Sequence, residues 1–479
     1  MTTNDRRAFR PDPRLSAALL LAKGVARGIQ VAGRGGGTSA PGMVADRVDV
    51  GLLTKLTDRL AHGVVTVAGT NGKTTTSRMI ADLLEAGGMK PVHNRSGSNL
   101  VRGVISAFAS QARLNGDPGG DAGVIEADEA ALPELLERVS PRALLLNNLF
   151  RDQLDRYGEL DTIARKWRPA IERLGPETTI VVNADDPTLA ALTTGVAARV
   201  VRFGFNEERH RLESLSHASD AAACRVCGAD LAWHALYVSH LGDWYCPSCD
   251  NRRPDLDAIG LDIQLNGVES LDMTVRDTIR DTDGDHAIHV GVPGVYNAYN
   301  VLAAVAVGRV MDVPMPTIIA SMAAFRSAFG RIERVTYRDR TLTLALVKNP
   351  VGFNEVLRML TVATGGLEVP TLIAINDLHA DGRDVSWLWD VDFELLADGD
   401  GKLATTGIRG ADMANRLKYA GVAEDRLTPL PEEFESSLDA FVEQISAGGS
   451  GYILPTYTAM LRIRKILADR GAVESFWKQ

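Results

Sequence analysis

The stretch Val64–Ser77 reads Val-Val-Thr-Val-Ala-Gly-Thr-Asn-Gly-Lys-Thr-Thr-Thr-Ser, and it decides the fold. Its apolar first part, Val64–Ala68, predicts a strand that runs into a glycine turn, and a helix is expected to begin near Lys73. Backbone N–H groups in such a turn point toward phosphate oxygens, and the helix N-terminus adds a favourable partial charge. Lys73 can reach the terminal phosphates, and the hydroxyl of Thr74 can ligate Mg²⁺. The stretch therefore predicts a nucleoside triphosphate site.

The glycine turn is shorter than the usual pattern G-x-x-x-x-G-K-[ST], because Val67 stands where the first glycine is expected. A strand–helix turn that binds no ligand is the alternative interpretation. The strand, the glycines, the lysine and the threonine nevertheless follow one another in the order that phosphate binding needs. The predicted nucleotide-binding residues of this segment are Gly69, Thr70, Asn71, Gly72, Lys73, Thr74 and Thr75.

The overall composition argues against several classes of protein. The 479 residues suffice for two or three domains, and 45% of them are hydrophobic, as in ordinary globular chains. A formal net charge of −9 argues against bulk binding of nucleic acid. No apolar run approaches the ~18 residues that a membrane span needs. We therefore expect a soluble multidomain protein rather than a nucleic-acid-binding or membrane-spanning one.

The first 50 residues are expected to form a basic N-terminal segment ahead of the nucleotide-binding domain. Residues 1–34 carry seven Arg or Lys against two Asp. A basic amphipathic helix here could rest on an anionic membrane surface. A surface helix packed on the protein core is an equally supported alternative. A glycine-rich joint at residues 33–37 follows in either case.

The four cysteines of the chain lie in two pairs, Cys224-x-x-Cys227 and Cys246-x-x-Cys249, with 18 residues between the pairs. This spacing predicts a structural Cys₄ zinc ribbon within an insertion over about residues 210–253. Two disulfides are the alternative, which is disfavoured because so few, clustered cysteines suit a reducing cytoplasm. If all four thiolates bind zinc, any cysteine-dependent chemical step must come from another chain.

Apolar runs alternate with helical patterns through most of the sequence, which predicts doubly wound α/β sheets. We expect a central domain over residues 51–330 and a C-terminal α/β domain over residues 331–479, with a junction at Gly330–Glu333. The charged segment Arg276–Asp285 is expected to form a loop or hairpin. The predicted strands are Val64–Ala68, Ala122–Glu126, Ala143–Leu146, Thr178–Val182, Val200–Phe203, Leu342–Val347, Thr371–Ile375, Leu403–Thr406 and Tyr452–Leu454.

Two further groups fall where they could complete a nucleotide site. The predicted strand before Ala127 ends in acids, of which Glu126 is the first candidate and Asp128 the second for holding Mg²⁺ beside the phosphate loop. A simple cap for the next helix is the alternative for these acids. Asn297 and Asn300, three residues apart on one helical face, carry amides that can read an adenine edge.

Taken together, these segments resemble the Mur ligase family, ATP-dependent enzymes that form amide bonds to peptidoglycan precursors. The resemblance implies a central P-loop ATPase domain and a C-terminal Rossmann-like domain, with Lys73 and Glu126 in the chemistry and Arg331 near the phosphates. The segments that carry it are Gly69–Thr76, Glu126, Asp152–Gly158, Asn183–Pro187, Gly294–Asn300 and Gly330–Glu333.

Three departures narrow the match. Only about sixty residues precede the phosphate loop, too few for the nucleotide-sugar-binding domain of the relatives that use UDP-linked substrates. The central domain carries the zinc ribbon. Gln153 stands where the family usually has a metal-binding histidine. The resemblance therefore does not establish a second Mg²⁺ site.

With residues 376–387, these departures resemble the branch of the family that works with a GatD-type glutaminase. The resemblance implies that ATP activates the α-carboxylate of D-glutamate in the lipid II stem peptide as an acyl phosphate. Ammonia from the glutaminase then gives D-isoglutamine. It also implies that Asp384 orients the glutaminase histidine across the interface, whereas a cap for a turn or helix start near Ser386 is the alternative for this residue. The expected location is the cytoplasm, including the inner face of the membrane where lipid II lies.

Three other functions remain open at this point. A Mur-type or folylpolyglutamate-type ligase would add an amino acid instead of ammonia. A zinc-ribbon binding module with a vestigial P-loop would bind nucleic acid with a steep salt dependence and turn over no ATP. A scaffold for a partner enzyme would retain its function without Lys73.

Overall fold

The computed structural model describes residues 12–31, 39–94, 98–151, 160–215, 221–280, 284–326, 332–361 and 366–473. Its strands are β1 (Val64–Ala68), β2 (Pro91–His93), β3 (Ala122–Glu126), β4 (Ala143–Leu146), β5 (Thr179–Asn183), β6 (Arg199–Phe205), β7 (Ala232–Val238), β8 (Leu241–Tyr245), β9 (Ala258–Asn266), β10 (Ser270–Asp277), β11 (Gly284–Val290), β12 (Glu333–Tyr337), β13 (Arg340–Leu344), β14 (Thr371–Ala374), β15 (Leu403–Thr406), β16 (Leu427–Pro429) and β17 (Ser450–Pro455).

The helices that these strands alternate with cover the sheets on both faces. They are α1 (Pro13–Val31), α2 (Ala40–Val48), α3 (Leu52–Thr57), α4 (Lys73–Ala86), α5 (Val101–Gln111), α6 (Leu132–Arg138), α7 (Leu160–Glu172), α8 (Pro187–Leu192), α9 (Val295–Val310), α10 (Met315–Ala324), α11 (Pro350–Thr361), α12 (Gly410–Tyr419), α13 (Phe434–Glu443) and α14 (Tyr457–Asp469). Short 3₁₀ helices span Ser386–Asp390, Phe393–Leu396 and Glu424–Arg426.

The larger sheet has the order β11-β10-β9-β6-β5-β4-β1-β3-β2. Its strands from β2 to β6 are parallel, and β1 is buried at every residue, as expected for a strand covered on both faces. The carboxyl ends of β1, β3, β4 and β5 therefore meet at one edge of the sheet. The segments that follow these strands are brought together there, which agrees with the predicted doubly wound architecture.

The other end of the larger sheet is antiparallel. Strands β9, β10 and β11 form a meander, and Arg276 pairs with Asp285 across the β10–β11 hairpin at 2.7 Å. The described ends of the charged segment Arg276–Asp285 thus lie on the two strands of a hairpin, one of the two predicted outcomes, while residues 281–283 lie outside the described residues.

The smaller sheet, β12-β13-β17-β14-β15-β16, forms the C-terminal Rossmann-like layer. All of its neighbouring strands run parallel except β12 and β13. The predicted strands β13, β14, β15 and β17 are all present, with ends that differ by up to three residues. Strand β12 escaped prediction because its apolar positions, Val335 and Tyr337, are too few to stand out from the surrounding charge.

Helix α1 packs on the body of the protein rather than standing apart from it. Leu15, Ala18, Leu19 and Ala22 are buried, and the helix contacts α2 and α5. This is the second of the two predicted arrangements. The N-terminal arginines at positions 6, 7 and 10 lie outside the described residues. Within the described ranges, each helix is too short or too polar to cross a bilayer.

The cysteine insertion forms a ribbon beside the end of β5. Strands β7 and β8 make an antiparallel hairpin, and the N–H of Gly242 donates to the carbonyl of Asp185 (3.0 Å). Arg253 Nη1 lies 2.8 Å from the Asp185 carboxylate, and the indole of Trp244 donates to the carbonyl of Ala184. The ribbon is therefore fixed to the edge of the sheet at which the phosphate loop lies.

Candidate active site at the edge of the larger sheet

The phosphate loop joins β1 to α4, as the sequence predicts. Gly69 has φ +145° and Gly72 has φ +83°, conformations that strain any residue with a Cβ. A Cβ on Gly72 would also lie 2.0 Å from Asn300 Oδ1, so the glycine is required by space as well as by conformation. The loop backbone thereby stays open toward the adjoining cavity.

Lys73 is the first residue of α4 and is 7% exposed. Its Nζ donates to the carbonyls of Gly69 (2.6 Å) and Thr70 (3.0 Å) and to Glu129 Oε1 (3.1 Å). The ammonium group is therefore held at the loop with its charge facing a carboxylate. Glu129 was not selected from the sequence, although the acidic run from Glu126 to Glu129 was the signal that could have found it.

The predicted Mg²⁺ ligands meet next to this lysine. Thr74 Oγ1 lies 3.2 Å from Glu126 Oε1, and Glu126 is 4% exposed. The amide of Asn94 fixes the Glu126 backbone by accepting from its N–H (2.9 Å) and donating to its carbonyl (3.0 Å). Asp128 lines the same cavity. A hydroxyl and carboxylates are the hard oxygen donors that Mg²⁺ prefers, so this donor set fits the ion.

Asn297 and Asn300 are hydrogen-bonded to each other and to neighbouring segments, and Asn300 also lines the cavity. Asn300 Oδ1 accepts from Thr76 Oγ1 (3.1 Å) and Asn147 Nδ2 (3.0 Å), while its Nδ2 donates to Asn297 Oδ1 (3.0 Å). Asn297 Nδ2 in turn donates to the carbonyl of Pro293 (2.7 Å). These amides bind the start of α9 to α4 and to the segment after β4, and the prediction that they read an adenine edge stays a prediction. Thr75 is buried in α4 and does not line the cavity.

A cavity of about 550 Å³ adjoins the loop and lies between the two sheets. Asn71 forms part of its wall and meets Asn349 of the C-terminal domain, whose Nδ2 donates to Asn71 Oδ1 (2.8 Å). Asn349 and its neighbour Lys348 both line the cavity. Glu355 of α11 lines it as well, and burial raises the pKa of this carboxyl while Arg358 opposes the rise. Both domains thus contribute polar side chains to the lining of the cleft.

The ribbon also contributes to this cavity. Val238 and Leu241, at the tip of the β7–β8 hairpin, both line it. Between them, His240 is fully buried and its ring lies 5.1 Å from that of Phe150. Arg358 Nη1 donates to the carbonyl of Tyr237 (2.8 Å), which ties the ribbon to the C-terminal domain. The ribbon is therefore a wall of the cleft rather than an isolated module.

The four cysteine sulfurs cluster as the predicted zinc site requires. All four Sγ atoms lie within 4.8 Å of one another, with Cys224 to Cys249 at 3.7 Å and Cys227 to Cys246 at 3.5 Å. Tetrahedral Zn–S bonds of about 2.3 Å require sulfur separations of about 3.8 Å, whereas a disulfide requires about 2.05 Å. The geometry fits zinc and excludes the disulfide alternative.

The electrostatics of the cluster agree with a cation at its centre. Burial acts to raise the pKa of Cys224. The N–H groups of Cys227 and Val226 and the amide of Asn251 outweigh burial and lower this pKa to about 6. The N–H of Asn251 acts to lower the pKa of Cys249. Burial and the neighbouring thiols outweigh this contact and raise the pKa to about 12. One cysteine therefore favours the thiolate form, and its negative charge disfavours further thiolates beside it. A bound divalent cation would offset this repulsion.

Asp384 lies in the C-terminal domain on the loop before the 3₁₀ helix Ser386–Asp390, and it is exposed. Its Oδ1 accepts from the N–H of Ser386 (2.8 Å), and the side chain and N–H of Ser386 lower its pKa. The carboxylate therefore caps this helix and also faces solvent. Ala380 of the same loop lines the cavity, so the loop runs from the cleft to the surface.

Two predicted positions lie outside the described residues: Arg331, expected near the phosphates, and Gln153, expected at the second metal position.

Comparisons with known proteins place this arrangement in a family. The Mur ligase middle domain matches residues 67–241, and the MurT ligase C-terminal domain matches residues 346–460. The pseudomurein peptide ligase type C of Methanothermus fervidus has the same fold, with a TM-score of 0.65 at 17% identity over 85% of this chain and 78% of that one. MurF of Acinetobacter baumannii aligns with a TM-score of 0.62 at 16% identity over 88% of this chain and 80% of its own.

Curated relatives are similar over nearly the full length. The lipid II isoglutaminyl synthase (glutamine-hydrolysing) subunit MurT of Streptococcus pneumoniae is 31% identical over 92% of this chain and 94% of its own. The subunit of the same name from Staphylococcus aureus is 32% identical over 81% of this chain and 84% of its own. The central phosphate loop, the C-terminal domain and the near-complete coverage together show that the chain belongs to the MurT family of Mur-type ligases.

Proposed function

We propose that this chain is the ATP-dependent ligase subunit of a lipid II isoglutaminyl synthase in peptidoglycan synthesis. The observation that carries the proposal is one cleft in which Lys73, Thr74 and Glu126 face a C-terminal domain whose Ala380 loop continues to Asp384. The names of the relatives support the same reaction. The product is D-isoglutamine, formed by amidation of the α-carboxylate of D-glutamate in the lipid II stem peptide.

The reaction needs activation because a carboxylate is unreactive toward ammonia. ATP supplies a phosphoryl group, which converts the carboxylate to an acyl phosphate and leaves ADP. Ammonia then forms the C–N bond, the C–O bond to phosphate breaks, and the proton lost from nitrogen leaves with phosphate. The chain must therefore neutralise phosphate charge, hold the two substrates together and exclude water from the acyl phosphate.

The residues of the phosphate loop supply the first of these needs. Lys73 would exchange its contact with Glu129 for the transferred phosphoryl group and stabilise the charge that develops on it. Thr74 and Glu126 would hold Mg²⁺ against the same phosphate oxygens. Arg331 would add positive charge when the C-terminal domain closes over the nucleotide. Lys348 projects into the cleft from the C-terminal side and is a candidate for contacting the substrate.

The asparagine pair receives a different role from the one that the sequence favoured. Because a Cβ on Gly72 would collide with Asn300, and because Asn300 contacts Thr76, this amide would hold the loop in its phosphate-binding shape. Asn297 would orient Asn300 in turn. Both are then positioning residues for the loop rather than contacts to the base.

A second chain is required for the nitrogen donor. With all four cysteines committed to zinc, this chain has no thiol left to attack glutamine, so a GatD-type glutaminase would supply the nucleophile. Asp384 would fix the tautomer of the glutaminase histidine, the usual task of the third triad member. Trp389 and Tyr419, exposed to 53% and 71% and 5.6 Å apart between ring centroids, offer an aromatic anchor beside the same 3₁₀ helix.

The substrate fixes where the protein would act. Lipid II presents its stem peptide at the cytoplasmic face of the membrane, so the ligase would work in the cytoplasm and meet its substrate at that surface. Nucleic acid plays no part in the proposed function.

The proposal is tested by incubating the purified chain with lipid II, ATP, Mg²⁺ and an ammonium salt, and by following the acid-to-amide mass change. Amidation that requires all four components is expected. A parallel series replaces ammonium with each amino acid in turn. Addition of an amino acid, with no amidation by ammonium, would contradict the proposal and return the function to an amino-acid ligase.

A further inference from the structure

We propose that Arg151 and Asp390 form a positioning pair that couples nucleotide binding in the phosphate loop to the orientation of Asp384. The inference rests on the proposed function, and it assigns a role to two residues to which that function gives none. Its consequence is that glutamine hydrolysis in the partner depends on the state of the ligase site. Three successive contacts carry the argument.

The first contact ties the loop to the segment that follows β4. Thr70 Oγ1 donates to the carbonyl of Phe150 (3.1 Å) and accepts from the N–H of Phe150 (3.1 Å). The N–H of Thr70 also donates to the carbonyl of Asn148 (3.0 Å). Both Thr70 and Phe150 are nearly inaccessible to solvent. A change in the loop on nucleotide binding therefore moves the backbone of Phe150. Arg151 is the next residue in the chain, so it moves as well.

The second contact crosses between the domains. Arg151 Nη2 lies 3.4 Å from Asp390 Oδ2, and the two side chains are 31% and 33% exposed. The separation exceeds the 2.7–2.9 Å of a well-formed charge-assisted hydrogen bond. A pair at this distance tightens or opens with a small relative movement of the two domains. Asp390 is the last residue of the 3₁₀ helix that begins at Ser386.

The third contact lies at the other end of that helix, where Asp384 accepts from the N–H of Ser386 (2.8 Å). The helix is short and well anchored, since Leu388 is buried and Arg416 donates to the carbonyls of Leu388 (3.2 Å) and Val391 (2.8 Å). A helix held in this way moves as a unit. A displacement of Asp390 therefore also displaces the carboxylate of Asp384.

The chain offers a matched comparison for this pair. Arg334 and Glu269 also form an ion pair between the two domains, at 2.5 Å, with side chains 51% and 67% exposed. Glu269 lies at the β9–β10 turn and Arg334 on β12, so this pair touches neither the phosphate loop nor the Ser386–Asp390 helix. If interdomain ion pairs served only to hold the domains together, the two pairs would behave alike.

The test measures glutamine hydrolysis by the complex of the full-length chain with its glutaminase, with and without a non-hydrolysable ATP analogue. For the unaltered complex we expect the analogue to raise the glutaminase rate about fivefold. Asp390→Asn and Arg151→Gln are each expected to remove most of that increase. Arg334→Gln is expected to retain it, and the exchanged pair Arg151→Asp with Asp390→Arg to recover part of it.

Amidation with ammonium, measured on the same variants, separates this inference from the proposed function. We expect Asp390→Asn to keep ammonium-driven amidation at the rate of the unaltered chain. No nucleotide dependence in the unaltered complex, or full dependence in Asp390→Asn, would overturn the coupling while leaving the ligase intact. An equal loss in Arg334→Gln would overturn it too. Absence of ammonium-driven amidation in the unaltered chain would overturn the proposed function together with the coupling.

Discussion

The two sides of the cleft differ in how completely their functional side chains are hydrogen-bonded within this chain. On the central-domain side, Lys73, Glu126 and Asn300 are each at most 7% exposed and each is hydrogen-bonded within the chain. On the C-terminal side, Asp384 is exposed and spends one carboxylate oxygen on capping Ser386. The first arrangement resembles a finished site, and the second resembles a site that another molecule completes.

The difference teaches where each half of the reaction should be sensitive. A buried, mutually bonded cluster loses its function when any one member changes, because the others are left without partners. An exposed carboxylate can be changed with little effect on folding, because water already surrounds it. Substitutions on the two sides should therefore separate the ligase reaction from the glutamine-dependent one.

Lys73→Ala is expected to have the largest effect. Removing the ammonium group leaves phosphate charge unneutralised and removes the ion pair with Glu129, so both ammonium-driven and glutamine-driven amidation should fall by on the order of 10³-fold. Initial rates of both reactions measure this. Lys90→Ala, an exposed lysine beyond the end of α4, is the control and should be unaffected. Normal amidation by the Lys73 variant would mean that the chain is a scaffold.

Asp384→Asn should separate the glutamine-driven reaction from the ammonium-driven one. The amide keeps the size of the side chain but cannot hold a histidine in the required tautomer, so the glutamine-driven rate should fall by on the order of 10²-fold. The ammonium-driven rate should be unchanged. Asp412→Asn, at another exposed carboxylate of the same domain, is the control. Equal loss of both rates in a folded Asp384 variant would remove the proposed triad role.

Cys246→Ser removes one of the four proposed zinc ligands and should destabilise the ribbon, which forms one wall of the cleft. A structural zinc site contributes on the order of 10 kcal/mol to folding of its module, so zinc content and the melting temperature should both fall. The KM for ATP should rise because Val238 and Leu241 are no longer held in the cleft. Ser248→Ala retains the N–H that contacts Cys246 and serves as control. A variant that lost its zinc yet kept its melting temperature and KM would show that the ribbon is dispensable.

Trp389→Ala should have the smallest effect of the four and should act on association alone. Loss of one exposed aromatic anchor costs on the order of 2 kcal/mol, or about a thirtyfold increase in the Kd for the glutaminase. Ammonium-driven amidation should remain normal. Leu114→Ala, at an exposed apolar residue of the other domain, is the comparison. Unchanged affinity in the Trp389 variant would move the docking surface elsewhere.

The features that were predicted from the sequence are those that contiguous residues determine. The strand, turn and helix around Gly72 form one local unit, and their order alone predicts a phosphate loop. The spacing of the Cys224 and Cys246 pairs predicts a four-sulfur cluster because each pair is local and only one long loop joins them. Nine strands of the two sheets followed from short apolar runs, and their ends shifted by up to three residues because hydrogen bonding between neighbours sets where pairing stops.

The contacts that escaped prediction all depend on how distant segments pack. Asn349 meets Asn71 across 278 positions of the chain, and Arg151 meets Asp390 between two domains. No local pattern specifies such pairs. The spacing of Asn297 and Asn300 places them on one helical face, but packing against Thr76 and Asn147 decides what else that face contacts. Sequence reasoning identified the residues and could not identify these contacts.

The claim that one chain completes the ligase and a second completes the glutaminase is tested most directly by a competition between two nitrogen sources. The complex is given lipid II, ATP, Mg²⁺, unlabelled glutamine and ¹⁵N-ammonium together, and the isotope in the new amide is read by mass spectrometry. The account predicts mostly unlabelled amide from the unaltered complex and almost entirely ¹⁵N-amide from Asp384→Asn. Unlabelled amide from the Asp384 variant in the same proportion as from the unaltered complex would contradict it.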